Sequence, residues 1–385
     1  RTKAGVPVLT KTWVEHVALG VVGVITPWNY PLALTMLDVV PALMAGNAVV
    51  QKADNQTALT VLFARHLAVE AGLPEDLWQV VVGDGETVGN AITDHVDYVA
   101  FTGSTATGRK VAQRAAARLI GCSLELGGKN PMIVLPGANL ARAAELAIAG
   151  AFGSAGQLCV SIERVYVPNQ HKAEFIELIR QATSSLKVGR SSDFSMDVGS
   201  LTGQAQLTRV SGFIDDAVEN GAVVVAGGTA LPELGPYFYA PTVVSEVRQI
   251  ARMARQEVFG PVLDVEGYDD VEEAIELAND TEYGLNASIV GPQKEAVRIA
   301  SQLHAGSVNI NEGFRASFAS MESPMGGMKA SGLGRRNGPA GLLRFTESKT
   351  IGVASGALRL PSRGRHYNKM APLMNLLQKL LKRLG

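Results

Sequence analysis

Short runs of β-branched residues alternate with helix-patterned segments through the front half of the chain, and no other feature limits the fold so strongly. VVGVIT (Val21 to Thr26) reads as a buried strand. PALMAGNAVVQK (Pro41 to Lys52) reads as a short helix, a Gly-Asn turn and a second strand ending at Lys52. TALTVLFARHLAVEAGLP (Thr57 to Pro74) carries apolar residues at helical spacing and stops at Gly72 and Pro74. WQVVVGDG (Trp78 to Gly85) and VDYVAFTGS (Val96 to Ser104) are strands that run into glycine turns. Strands alternating with helices predict an α/β fold, a doubly wound parallel sheet with helices on both faces. Ligands in such sheets bind at the carboxyl ends of the strands.

A second α/β unit begins at about Asn130, with the strand PMIVL, a helix from Asn139 to Phe152 and the strand RVYVP, and alternation continues to about Val308. Glycine turns dominate from Pro324 to Gly338. The first twenty residues pattern as a β-hairpin, and FTESKTIGVA (Phe345 to Ala354) as a late strand. Two strand elements at opposite ends of the chain, both outside the α/β units, suggest a small separate sheet for oligomerisation. The expected division is therefore 1–20 oligomerisation hairpin, 21–127 cofactor-binding domain, 128–344 catalytic domain, 345–357 oligomerisation strand and 358–385 tail. In that tail Met370, Leu373, Met374, Leu377, Leu380, Leu381 and Leu384 fall at helical spacing among Lys369, Lys379, Lys382 and Arg383. A helix docked on the body or on a neighbouring subunit is the plainer expectation; peripheral contact with a membrane surface is the sharper one.

Composition excludes several classes. A formal net charge of -1 without a long basic block argues against a nucleic-acid partner. Two cysteines, Cys122 and Cys159, in 385 residues make no disulfide framework and point to the cytoplasm. The six histidines show no metal-ligand spacing, so no metal site is expected. No apolar stretch is long enough to span a bilayer. The sequence opens on Arg1 rather than Met, which reads as a chain lacking its upstream segment.

Four segments carry candidate chemistry. Cys159 lies in GSAGQLCVS, whose small residues would let a substrate and a cofactor ring approach the sulfur; a buried inert thiol is the plain alternative. Glu125 in SLELGGKNP ends an apolar strand, where burial would raise its pKa towards neutrality; the alternative is an acid capping a turn or paired with Lys129. FTGSTATG (Phe101 to Gly108) offers backbone N–H groups and a helix N-terminus to a phosphate, but it is neither the GxGxxG fingerprint nor a P-loop. PWNYP (Pro27 to Pro31) fixes Asn29 between prolines, where its amide could serve an oxyanion or merely fill a turn.

These strings occur in a fixed order, followed by EVFGPV and PMGGMKASG, and with QKADNQT they resemble the aldehyde dehydrogenase superfamily from about Gly23 to Lys349. The resemblance implies a doubly wound cofactor domain, an α/β catalytic domain, a small oligomerisation sheet, and a homo-dimer or tetramer. It implies Cys159 as the nucleophile, Glu125 as the general base and Asn29 as an oxyanion donor shared with the Cys159 backbone N–H. On the cofactor side it implies Trp28, Asn29, Lys52, Ala53, Asp54, Asn55, Gly83, Gly103, Ser104, Leu126, Glu257 and Phe259. Relatives that favour NAD usually carry Glu at the position of Asn55; without that repulsion, and with Lys52 beside it, NADP is expected, with NAD tolerated.

The nearest branch resembles the NADP-dependent succinate-semialdehyde dehydrogenases of the actinobacterial second type, through RTKAGVPVLT, GQLCVSIERVYV and GLGRRNGPAGLLRFTESKTI. Better-known enzymes for that substrate carry two arginines whose positions here are Leu37 and Gly153. Succinic semialdehyde is the expected substrate, with a neutral aliphatic or aromatic aldehyde as the alternative; a non-catalytic binding protein is the further one. Arg164 falls in the strand after Cys159, and Asp38 stands where many relatives carry Lys.

Overall fold

The computed structural model describes residues 10–354 and 363–384. The chain divides into two units, Ala18–Thr346 and a smaller one formed by its two ends, Arg1–Val17 with Glu347–Gly385.

In chain order, β1 (Thr10–Ala18) is followed by β2 (Val21–Ile25), β3 (Ala48–Lys52), β4 (Trp78–Val81), β5 (Tyr98–Thr102) and β6 (Gly121–Glu125). The helices α1 (Pro31–Met44), α2 (Ala58–Glu70), α3 (Gly85–His95) and α4 (Thr105–Ala117) connect β2 to β6. A second series holds β7 (Asn130–Val134), α5 (Leu140–Phe152), β8 (Ile162–Pro168), α6 (Asn169–Ser184), α7 (Gln204–Glu219), β9 (Val223–Ala226), β10 (Thr242–Ser245), β11 (Val262–Tyr268), β12 (Asn286–Val290) and β13 (Ser307–Ile310). Late in the chain come β14 (Gly332–Leu333) and β15 (Thr346–Ala354).

The larger unit has two sheets. One runs β14-β6-β5-β2-β3-β4, parallel except for β14, and the other runs β13-β12-β7-β8-β11-β10-β9, parallel except for β9. The expected α/β architecture with parallel sheets is therefore present. Strands β5 and β7 are buried along their whole length; this is why they read as mostly apolar runs rather than alternating ones.

One buried polar hub ties the first sheet together. Gln51 of β3 donates from Nε2 to Thr26 Oγ1 at 3.0 Å and Thr35 Oγ1 at 2.7 Å, and its Oε1 accepts from Trp78 Nε1 at 3.0 Å. A satisfied buried network of this kind fixes one arrangement, because every alternative leaves a polar atom unpaired. It anchors Thr26, the residue directly before the PWN turn.

Helix α1 starts earlier than the sequence suggested. It begins at Pro31, a residue suited to the first turn, and continues through Pro41. A proline inside a helix removes one N–H and frees the carbonyl four residues back. Here that is Leu37 O, and Arg344 Nη2 reaches it at 3.5 Å.

In the smaller unit β1 pairs with β15. Residues 1–9, where another arm of the expected hairpin would fall, lie outside the described residues. A 21-residue helix spans Gly364–Leu384, and the described side chains on it are almost all exposed, Leu373, Met374, Leu376, Leu377 and Leu380 among them. Among the described residues no helix is long and apolar enough to cross a membrane.

Candidate active site

Cys159 follows α5 through a tight segment. Ser154 and Ala155 take left-handed backbone at φ 55° and 53°, and Gly156 follows at 68°. A Cβ on Gly156 would lie 1.9 Å from the carbonyl oxygen of Gly260, so this chain crossing requires glycine. Three amides then fasten the loop. Asn29 donates to Gln157 O at 2.9 Å, Asn130 to Cys159 O at 2.8 Å and Ser161 O at 2.7 Å, and Asn286 to Val160 O at 3.0 Å.

Glu125 ends β6. The segment around Ser331 closes that strand end: Leu126 N donates to Ser331 O at 3.0 Å, and Ser331 Oγ donates to Gly127 O at 2.7 Å. The two glycines that follow serve different neighbours. A Cβ on Gly127 would come 2.7 Å from Glu257 Oε2, and one on Gly128 would come 2.6 Å from Cys159 O. Side chains there would push away the Glu257 carboxyl and the backbone of Cys159. Lys129 is not the partner of Glu125; it forms a buried ion pair with Glu163 at 2.6 Å. Glu125 Oε1 is buried without a hydrogen-bond partner.

These residues converge. A cavity of about 260 Å³ is lined by Trp28, Asn29, Gly103, Ser104, Glu125, Leu126, Cys159, Glu257 and Phe259, with Thr102, Gln206 and Arg209. A second, smaller cavity shares Asn29, Leu34, Glu125 and Cys159. It is otherwise mostly apolar, with Tyr30, Leu158, Leu285, Phe314, Phe318 and Met325. Cys159, Glu125 and Asn29 thus form part of the wall common to both.

Burial governs the electrostatics. It pushes Glu125 up to about 7, against the pull of Arg336. It pushes the Cys159 thiol up to about 12, with the charges of Glu257 and Glu125 adding to the effect. Glu257 rises to about 8, through burial and then the charge of Glu163, although Gly128 N donates to its Oε1 at 3.0 Å. Near neutrality Glu125 therefore stands between its two forms, while the resting Cys159 thiol keeps its proton.

The family model for the aldehyde dehydrogenase family matches residues 5–351. The chain belongs to the aldehyde dehydrogenase family. It is 52% identical over 349 residues to a Mycobacterium tuberculosis protein provisionally named succinate-semialdehyde dehydrogenase (NADP+) 2, covering 90% of this chain and 67% of that one. A Mycolicibacterium smegmatis protein of the corresponding name is 50% identical over 386 residues, covering 99% of this chain and 74% of that one. The crystal structure of a Mycobacterium tuberculosis aldehyde dehydrogenase complexed with NAD+ superposes with a TM-score of 0.86 at 38% identity, covering 91% of this chain and 72% of that one. This aldehyde dehydrogenase is an oxidoreductase that uses NAD(P) to oxidise an aldehyde.

The remaining cofactor candidates of the dehydrogenase lie at the carboxyl ends of β3 and β4 rather than in the 260 Å³ cavity. Lys52 ends β3 and is followed by buried Ala53, then Asp54 and Asn55. Asn55 Oδ1 accepts from Gly83 N at 3.1 Å, which joins the two strand ends. Ser104 caps α4, its Oγ accepting from Thr107 N at 3.3 Å, so that turn presents a helix N-terminus beside the cavity. Trp28 and Phe259 stand edge to face with ring centroids 5.6 Å apart. A cradle with a helix N-terminus, two aromatic walls and room kept by Gly127 suits a dinucleotide.

Gln206, Arg209 and Arg336 carry no local motif that would single them out. Gln206 donates to Phe259 O at 2.6 Å and Arg209 to Glu257 O at 2.6 Å, holding the EVF segment in place from α7. Arg336 lines the apolar cavity. Arg164 lines neither of these two cavities; it is buried against Lys129 O, Leu277 O and Ala278 O. Among the described residues no cluster of three or more His, Cys, Asp or Glu could hold a metal ion.

Proposed function

We propose that Cys159 is the nucleophile that attacks the aldehyde carbon and Glu125 the base that helps release the acid. The observation that supports this best is the shared wall, in which sulfur, carboxyl and amide stand between a cofactor-sized cavity and an apolar one. The thiol, pushed up to about 12, gives up its proton as the carbon–sulfur bond forms, and Glu125, at about 7, is a suitable acceptor in the same cavities. Charge grows on the former carbonyl oxygen; the Asn29 amide and the Cys159 N–H answer it. A bound nicotinamide would supply the acceptor for the hydride that leaves the former aldehyde carbon. The acyl group then remains on sulfur as a thioester. Glu125, having passed the thiol proton on to solvent, takes a proton from water as that water attacks; the carbon–sulfur bond breaks, the sulfur regains a proton, and the carboxylic acid leaves.

The apolar cavity favours an uncharged aliphatic or aromatic aldehyde. Its cation, Arg336, is already held by Asp38. Succinic semialdehyde is the second reading, favoured by the names of the relatives at 50% and 52% identity. NADP is the favoured cofactor, because Asn55 bears no charge to repel a 2′-phosphate and its oxygen is already turned to Gly83. A panel of aldehydes assayed with each cofactor tests all of this through kcat/KM. Turnover of neutral aldehydes with NADP is expected. Exclusive use of succinic semialdehyde would select the second reading, and a strong NAD preference would remove the Asn55 argument. A folded protein that oxidises none would return the non-catalytic reading.

A homo-oligomer belongs to the same reading. Two paired strands are marginal on their own, and most residues of β1 and β15 are exposed.

A further inference from the structure

Asp38 lies on α1 with no exposure at all, at a position where the resemblance leads one to expect a lysine. Two arginines hold it. Arg336 donates from Nε to Oδ1 at 2.9 Å and from Nη2 to Oδ2, and the same Nη2 donates to Thr102 Oγ1. Arg344 donates from Nη2 to Oδ1 and from Nη1 to Ser123 Oγ at 3.2 Å. Both guanidinium groups are buried, at 2% and 8% exposure. Buried charge has to be balanced. One carboxylate against two guanidinium groups leaves one positive charge over.

Glu125 is placed to balance it. It shares the apolar cavity with Arg336, and on β6 it is the cross-strand partner of Thr102, to which Arg336 is bonded. The groups whose charges bear on Glu125 are Arg335 and Arg336 after β14, Arg344 before β15, Asp38 on α1 and Cys159 in the nucleophile loop. Arg335 is turned to the carbonyls of Gly327 and Gly334. Arg336 exerts the strongest of these influences.

We propose that Arg336, clamped by Asp38 and Thr102, is a positioning residue that supplies the counter-charge by which buried Glu125 ionises. The proposal rests on Glu125 being the base. It also accounts for Asp38: an anion there steadies the arginine, while the second cation, Arg344, keeps the anion from cancelling its charge.

The test reads Glu125 in two ways. One is the pH titration of its carboxyl infrared band, identified by its loss in Glu125→Gln, on the full chain alone. The other is the pH dependence of acyl-enzyme hydrolysis with the best aldehyde of the panel. Arg336→Gln leaves Asp38 paired with Arg344, and should move both titrations up by about one pH unit or more, so that the loss of ionised Glu125 approaches about tenfold well below the wild-type pKa. Asp38→Asn removes an anion and should move both down. Arg336→Lys should recover most of the shift. A merely structural Arg336 would lower Tm and scale activity equally at every pH; titrations that stay in place in a folded Arg336→Gln overturn the proposal. Should that variant fail to fold, Asp38→Asn decides, and a titration that is unmoved or rises overturns it. A protein that oxidises no aldehyde removes the functional reading, while the infrared titration still judges Arg336.

Discussion

Glu125 and Asp38 are both buried carboxyl groups, and their surroundings send them in opposite directions. Burial dominates at Glu125, whose Oε1 has no hydrogen-bond partner, and the group rises to about 7. Burial would raise Asp38 too, but Arg336 and Arg344 outweigh it and hold the carboxyl below its ordinary value. Linkage then gives each a sign. The folded state keeps the Glu125 proton more tightly than the unfolded chain, so its contribution to stability is present at low pH and is lost as pH rises to about 7. Asp38 contributes above its ordinary pKa, and that stability is lost as pH falls. The proposed role of Glu125 as base thus falls in the pH range where its ionisation costs stability. For catalysis, hydrolysis of the acyl-enzyme should climb through about pH 7 and level off, as seen by stopped-flow single turnover. Glu125→Gln should flatten that profile and lower it by ~10²–10⁴-fold, and slow the first burst of reduced cofactor as well. A Gln variant that hydrolyses as fast as the wild type would remove Glu125 from the chemistry.

At the scale of elements, the nucleophile loop depends on a turn that few residues tolerate. Gly156→Ala would bring a methyl group against backbone, at φ 68°, where neither side can rotate away. The left-handed conformation alone costs about 1–2 kcal/mol, and the clash adds to it. The expected outcome is a lower Tm and a slower alkylation of Cys159 by iodoacetamide; unchanged values of both would show that the crossing adapts. The strands and most helices were legible in the sequence because each follows a local pattern. Asn139 and Ser104 cap α5 and α4 where the motifs ended, and Gly72 follows the end of α2. The start of α1 was not legible: Pro41 reads as a boundary, and its rescue by Arg344 at Leu37 O spans 307 residues. The Asp38–Arg336 contact, 298 residues apart, is hidden for the same reason, as are the holds of Gln206 and Arg209 on the EVF segment. Cys159, Glu125 and Asn29 could be named as candidates because their motifs are local, whereas the groups around them come from distant segments.

For the whole molecule, β1 and β15 present exposed strands, with Val353 48% exposed on β15. Light scattering should find a dimer or tetramer, and Val353→Lys should shift it towards smaller species; a monomer at every concentration would leave the small sheet without that role. The partition formed by Cys159, Glu125 and Asn29 has a consequence for traffic. A sulfur reached from two chambers can hold its cargo in one while the other is emptied and refilled. With the proposed thioester on that sulfur, spent carrier would not need to pass the acyl group on its way out, and solvent could follow through the vacated side. The two halves of a turnover can then queue at one atom without sharing a doorway.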